Sequence, residues 1–201
     1  MLKSKTLWVL VGWSLLMLFN HYYVPAFILS FDLLVLWLTL IIISTWQIIN
    51  LFLERKTISK LRLQKVFLFS VLFVLTFWGS ADKVIERADW SIFFKKRQEI
   101  VEQIKANQLK PNVSWNGVYC QLPFSFPIIS NGGNGILIEY RPKGSVTVTF
   151  FIFCNYFEAP STQFVYTNDA GDMKLIDEKI KKDPSKNWRI KTFWYRTEGE
   201  L

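Results

Sequence analysis

The sequence predicts a membrane α-helical N-terminal part of three spans, followed by an α+β C-terminal domain in which a long amphipathic helix packs on a mostly antiparallel sheet. Three observations predict it. Apolar runs crowd the first 81 residues, an amphipathic stretch of helical period follows, and short alternating segments fill the remainder. The charge is divided to match: residues 1–81 carry seven basic and two acidic side chains, and residues 82–201 carry seventeen and fourteen. The net charge of +8 is thus weighted toward the apolar runs, as orientation signals would be, and no nucleic-acid partner is expected.

The first run is Leu7–Val24, interrupted by Asn20 and His21 and followed by Pro25; the second is Phe31–Leu53; the third is Val66–Ala81. A crossing helix needs roughly 17–25 residues, which sets spans at about 7–24, 31–53 and 66–81. No small-residue cleavage site follows the first run, so it reads as an uncleaved span rather than a signal peptide. Lys3 and Lys5 precede it, and the linker Glu54–Lys65 holds five basic residues and one acid. The connection from Asn20 to Phe27 has no Lys or Arg. The positive-inside rule then places the N-terminus in the cytoplasm and residues 82–201 outside, in a multi-pass cell-membrane protein. Asp32 is the intramembrane polar candidate, read first as a helix cap near the start of its run and second as an ion or proton group. His21, the only histidine, falls in the expected outer loop.

In the second part, Trp90, Phe93, Phe94, Ile100, Val101 and Ile104 recur at helical spacing, with Pro111 as the expected stop. Strands follow at Val118–Leu122, Gly135–Arg141, Ser145–Cys154 and Thr162–Thr167, with a turn at Arg141–Gly144. Asp172–Asp183 reads as a short helix ended by Pro184, and Asn187–Thr197 as one further alternating strand, for a sheet of four or five. The segments Arg97–Asn112, Val148–Phe153 and Phe164–Asp169 resemble a group of small bacterial membrane proteins that place a helix-plus-sheet domain after hydrophobic spans. The resemblance implies membrane anchoring and supplies no activity and no site.

Chemistry is sparse. "NGGNG", Asn131–Gly135, lacks the Lys-Ser/Thr ending of a phosphate loop and leads into a strand, so it is expected to be a solvent-exposed turn with Ile136 and Ile138 entering the sheet. No GxSxG occurs, and no histidine lies in residues 82–201 to activate a serine or cysteine. No catalytic, cofactor-binding or metal-binding residues are assigned, and no cofactor is expected. Cys120 and Cys154 are either a disulfide or two thiols. "NDAGD", Asn168–Asp172, lacks the later acidic ligand of a calcium loop. Trp188, Trp194 and Tyr195 are the candidate aromatic interaction surface. These readings point to an integral membrane protein with a non-enzymatic outer interaction or sensing domain, as an envelope-complex subunit or immunity-type factor. The expected partners are the lipid bilayer and another membrane or envelope protein. The alternatives are a membrane-anchored hydrolase using carboxylates such as Glu139, Glu158, Asp169, Asp172, Asp177 and Glu178, or a small transport subunit built around Asp32.

Overall fold

The structure is a computed structural model. It describes residues 4–23, 27–53, 60–77, 80–153 and 161–199. Cys154, Glu158 and the 54–59 portion of the basic linker lie outside the described residues. The chain divides into two units: one holds Met1–Asn20 and Ala26–Arg87, the other His21–Pro25 and Ala88–Leu201. The boundary expected at residue 81 therefore moves to 87, and five residues from early in the chain join the second unit.

The first unit is helical. It contains most of α1 (Ser4–Tyr23), all of α2 (Phe27–Leu53) and α3 (Lys60–Phe77), and the first turns of α4 (Ser80–Lys105). α2 packs against α3, and Met17 of α1 and Leu72 of α3 are the buried apolar side chains of this unit among the described residues. Much of α2 stays exposed, including Val35, Ile42, Trp46 and Phe52.

Among the described residues, no helix is long and apolar enough to cross a membrane. This overturns the three expected spans at 7–24, 31–53 and 66–81. It also overturns the multi-pass localisation and the integral-membrane function, with the envelope, immunity, anchored-hydrolase and transport roles that depended on it. The physical reason lies in where the helices begin and what interrupts them. α1 takes in Ser4, Lys5 and Thr6 and runs through Asn20 and His21. α3 starts with Lys60, Arg62, Gln64 and Lys65, so its first turns are polar, and Val66–Phe77 is its apolar part among the described residues. α2 has 27 residues and carries Ser30, Asp32, Thr39, Ser44, Thr45, Gln47 and Asn50 among its apolar ones. Asp32 also falls inside α2, which starts at Phe27, so it is not at a cap position.

The second unit is a six-stranded, wholly antiparallel sheet with a helix on each face. Its strands are β1 (Tyr119–Gln121), β2 (Gly135–Tyr140), β3 (Val146–Phe153), β4 (Thr162–Thr167), β5 (Trp188–Lys191) and β6 (Trp194–Glu198). Their order is β1-β2-β3-β4-β6-β5. Because side chains alternate along a strand, β3 sends Val146, Val148, Phe150 and Ile152 to one face and Thr147 and Thr149 to the other. The first set meets Ile100, Val101 and Ile104 of α4, together with Cys120, Ile136, Ile138, Phe164 and Trp194, in the main core. On the opposite face, Val165 and Tyr195 pack with Ile176 of α5 (Ala170–Lys182), joined by Met173 and Ile180.

The segment expected to be one strand over Asn187–Thr197 is a hairpin. Phe193 has φ 63°, a left-handed turn conformation that closes β5 onto β6. α4 ends at Lys105, ahead of Pro111, and Asn107 follows with φ 58°. Both sheet edges are guarded. The Asn112 side chain stands in for a strand beside β1: its Nδ2 donates to Gln121 O at 2.9 Å and its Oδ1 accepts from Gln121 N at 2.8 Å. β5 is four residues long, bulged between Arg189 and Lys191, and carries those two cations, all features that discourage edge pairing.

Candidate functional site

The polar groups of the sheet unit gather in two places. The first surrounds the glycine loop between β1 and β2. Only Gly132 and Gly133 of this loop are exposed; Ser130, Asn131 and Asn134 are buried. The exposed turn expected at Asn131–Gly135 is therefore mostly interior, while Ile136 and Ile138 enter the core as expected. Asn134 is the hub. It sits at φ 61°, a left-handed conformation that asparagine tolerates. Its Oδ1 accepts from Ile129 N at 2.8 Å and Ser130 N at 3.2 Å. Its Nδ2 donates to Pro127 O at 2.9 Å and Phe124 O at 3.2 Å. The Ser130 hydroxyl donates to Gly135 O and accepts from Phe151 N, tying the loop to β3. With the amides of Ile129, Ser130, Asn131 and Asn134 bonded within the protein, the loop has the bonding of a structural knot.

Beside this loop lies a buried ion pair. Arg97 occupies the apolar stripe of α4, and its side chain is 2% exposed. Its Nη2 donates to Asp89 Oδ2 at 2.5 Å, its Nη1 to Asp89 O at 3.3 Å, and its Nε to Ile129 O at 2.9 Å. The guanidinium also lies 4.8 Å from the Phe164 ring centre. The second oxygen of Asp89, Oδ1, accepts from the Tyr22 hydroxyl at 2.7 Å. Asn131 Nδ2 donates to His21 O at 2.6 Å and to Ile152 O, while Asn131 N donates to Phe151 O at 2.7 Å. Burial, with the Asp89 charge next in size, pushes the Tyr22 phenol well above its usual range. Burial also draws the Arg97 guanidinium down, and Asp89 opposes that shift. His21, expected in a loop, is in the last turn of α1, edge-on to Tyr22 with ring centres 4.9 Å apart.

The second cluster sits at the N-terminus of α5. Asp169 caps the helix, accepting from Gly171 N at 2.9 Å and Asp172 N at 3.1 Å, and it also accepts from Ser145 Oγ at 2.8 Å. The Asp172 amide bond, followed by the Ser145 hydroxyl, holds its carboxyl below the ordinary range. Asp172 accepts from Arg141 Nε at 2.9 Å and Thr147 Oγ1 at 2.5 Å, and Arg141 Nη2 lies 2.7 Å from Glu139. Of the acids singled out from sequence, Glu139, Asp169 and Asp172 are thus engaged with arginine, hydroxyl or backbone partners. Asp177 and Glu178 are exposed on α5. Among the described residues, no group of three His, Cys, Asp or Glu could hold a metal ion.

The remaining sequence candidates separate. Trp194 and Tyr195 are buried on opposite faces of β6, and Trp188 is half-buried with Arg196 4.9 Å from its ring centre, so the three do not form one surface. Cys120 is a free, buried thiol whose pKa burial raises. Sequence reasoning missed Asp89, Arg97, Tyr22 and Asn134. For Arg97 a signal existed: it falls on the stripe 90, 93, 94, 97, 100, 101, 104, where a charge needs an internal partner. No family model, curated protein or solved structure matches this chain.

Proposed function

We propose that this chain acts by assembling with a partner protein, and that α2 supplies the surface. One observation carries the reading. Val35, Leu38, Ile42, Trp46, Ile49 and Leu53 are all exposed, with Val35 at 62%, Ile42 at 65%, Trp46 at 63% and Leu53 at 77%. Their intervals are three or four residues, so they line one continuous stripe of the helix. Apolar area left in water forgoes about 25 cal/mol per Å2, and a stripe of this length favours being covered. The matching partner surface is the apolar face of another helix, whose side chains would interleave with the ridge from Val35 to Leu53. Thr39 fits this use, because its hydroxyl donates to Val35 O at 2.8 Å within the helix.

The test is a photo-reactive residue at Ile42 in the full chain, with Lys174 on α5 as the control position. A discrete protein adduct from position 42, absent from position 174, is the expected result. A chain that forms no protein adduct and instead floats with protein-free lipid vesicles would sink the proposal.

A further inference from the structure

Within the second unit, the hydrogen bonds around the glycine loop close into a ring. Starting at Tyr22, the phenol reaches Asp89, the Asp89 carboxylate holds Arg97, and Arg97 reaches Ile129 O. Two residues on, Asn131 donates to the carbonyl of His21, the neighbour of Tyr22. The ring therefore joins a short segment at residues 21–22 to α4 and to the loop through two attachment points, each remote in sequence. Asp89 at 4%, Arg97 at 2% and Asn131 at 6% are deeply buried, whereas His21 and Tyr22 are only half-buried. The main core of Val148, Phe150, Phe164 and their neighbours does not include residues 21–22.

We propose that His21–Tyr22 is a releasable clasp, and that its opening is a local event that frees the glycine loop and uncovers the Asp89–Arg97 pair while the sheet stays folded. The asymmetry of burial favours this order of events. Tyr22 can withdraw toward solvent, but Arg97 and Asn134 cannot leave without breaking the core and the loop hub. Withdrawal leaves Asp89 Oδ1 without its phenol donor and Asn131 with one fewer acceptor. Asn131 keeps its bonds to Phe151 and Ile152, so the loop loosens at its outer side while remaining tied to β3. The closed ring also predicts that the two attachment points are coupled, since opening either one removes the constraint that aligns the other.

Hydrogen exchange on the full chain tests this. Tyr22→Phe removes the phenol donor and keeps the ring. It should speed exchange roughly tenfold in peptides covering 89–97 and 129–134, the scale of losing one hydrogen bond to a charged group, and leave peptides within β3 and β4 unchanged. Asn131→Ala should speed exchange in the same peptides, and the double variant should add less than the sum of the singles. Unchanged exchange in 129–134, additive effects, or an equal rise across every strand would each overturn the clasp. The last of these would make Tyr22 a support of global stability only.

Discussion

Arg97 and Asn134 show how much a single side chain can hold when it is the partner of several buried groups. Arg97→Ala would strand the Asp89 carboxylate in the interior, because its guanidinium supplies the charged partner at 2.5 Å. The expected loss is about 3–5 kcal/mol of unfolding free energy, read as a drop in the denaturation midpoint. Replacing both members, Arg97→Met with Asp89→Leu, should cost less than Arg97→Ala alone, since no buried charge then remains. Asn134→Ala removes four hydrogen bonds to backbone groups, two buried and two part-buried, and puts an alanine at φ 61°. About 3 kcal/mol is expected there, and Asn134→Gly should recover only the conformational part. Neither role can be read from local sequence. An Asn-Gly pair marks a turn wherever it stands, and only the approach of Ile129, Pro127 and Phe124 makes this asparagine a hub.

Among the elements, α5 begins at Ala170, two residues ahead of the expected Asp172, because Asp169 in the loop before it supplies the cap. Asp169 caps it, and Lys179, Lys181 and Lys182 crowd its last turn, matching the helix dipole. The Asp169 carboxyl is held below its ordinary pKa, so its stabilising effect is complete above the ordinary carboxylate range and is lost as pH falls through the lowered folded-state value. Asp169→Ala should therefore lower the thermal midpoint at pH 7, and the gap between the two proteins should shrink as the pH is taken below about 4. A gap that persists unchanged into acid would show that the carboxylate charge is not what matters. The strands β2, β3 and β4 were legible, because a period of two is a local property. The β5–β6 hairpin was not: Lys191, Thr192, Phe193 and Trp194 continue the alternation straight through the turn, and the left-handed Phe193 is set by closure onto β6. The bulge at Arg189 and Lys191 adds a second break in register that alternation cannot announce.

At the scale of the whole molecule, the exposed α2 stripe makes a prediction about state rather than fold. Ile42→Asp with Trp46→Asp should abolish association with the partner, measured by sedimentation or cross-linking, and leave the strand signature in circular dichroism intact, because neither residue belongs to the sheet unit. The sequence by itself determined the periods of α4 and of β2, β3 and β4, the core face of β3 and the presence of α5, whose Asp169 cap it did not announce. Each of these depends on neighbours within a few positions. Only the tertiary structure decided that the glycine loop is interior, that Arg97 serves an apolar stripe, and that residues 21–22 belong with the sheet. Their partners are far along the chain, as Tyr22 is from Asp89 and His21 from Asn131. The apolar runs of the first 81 residues fell between these cases. Their composition was plain, and no described helix reaches the length and apolarity of a span.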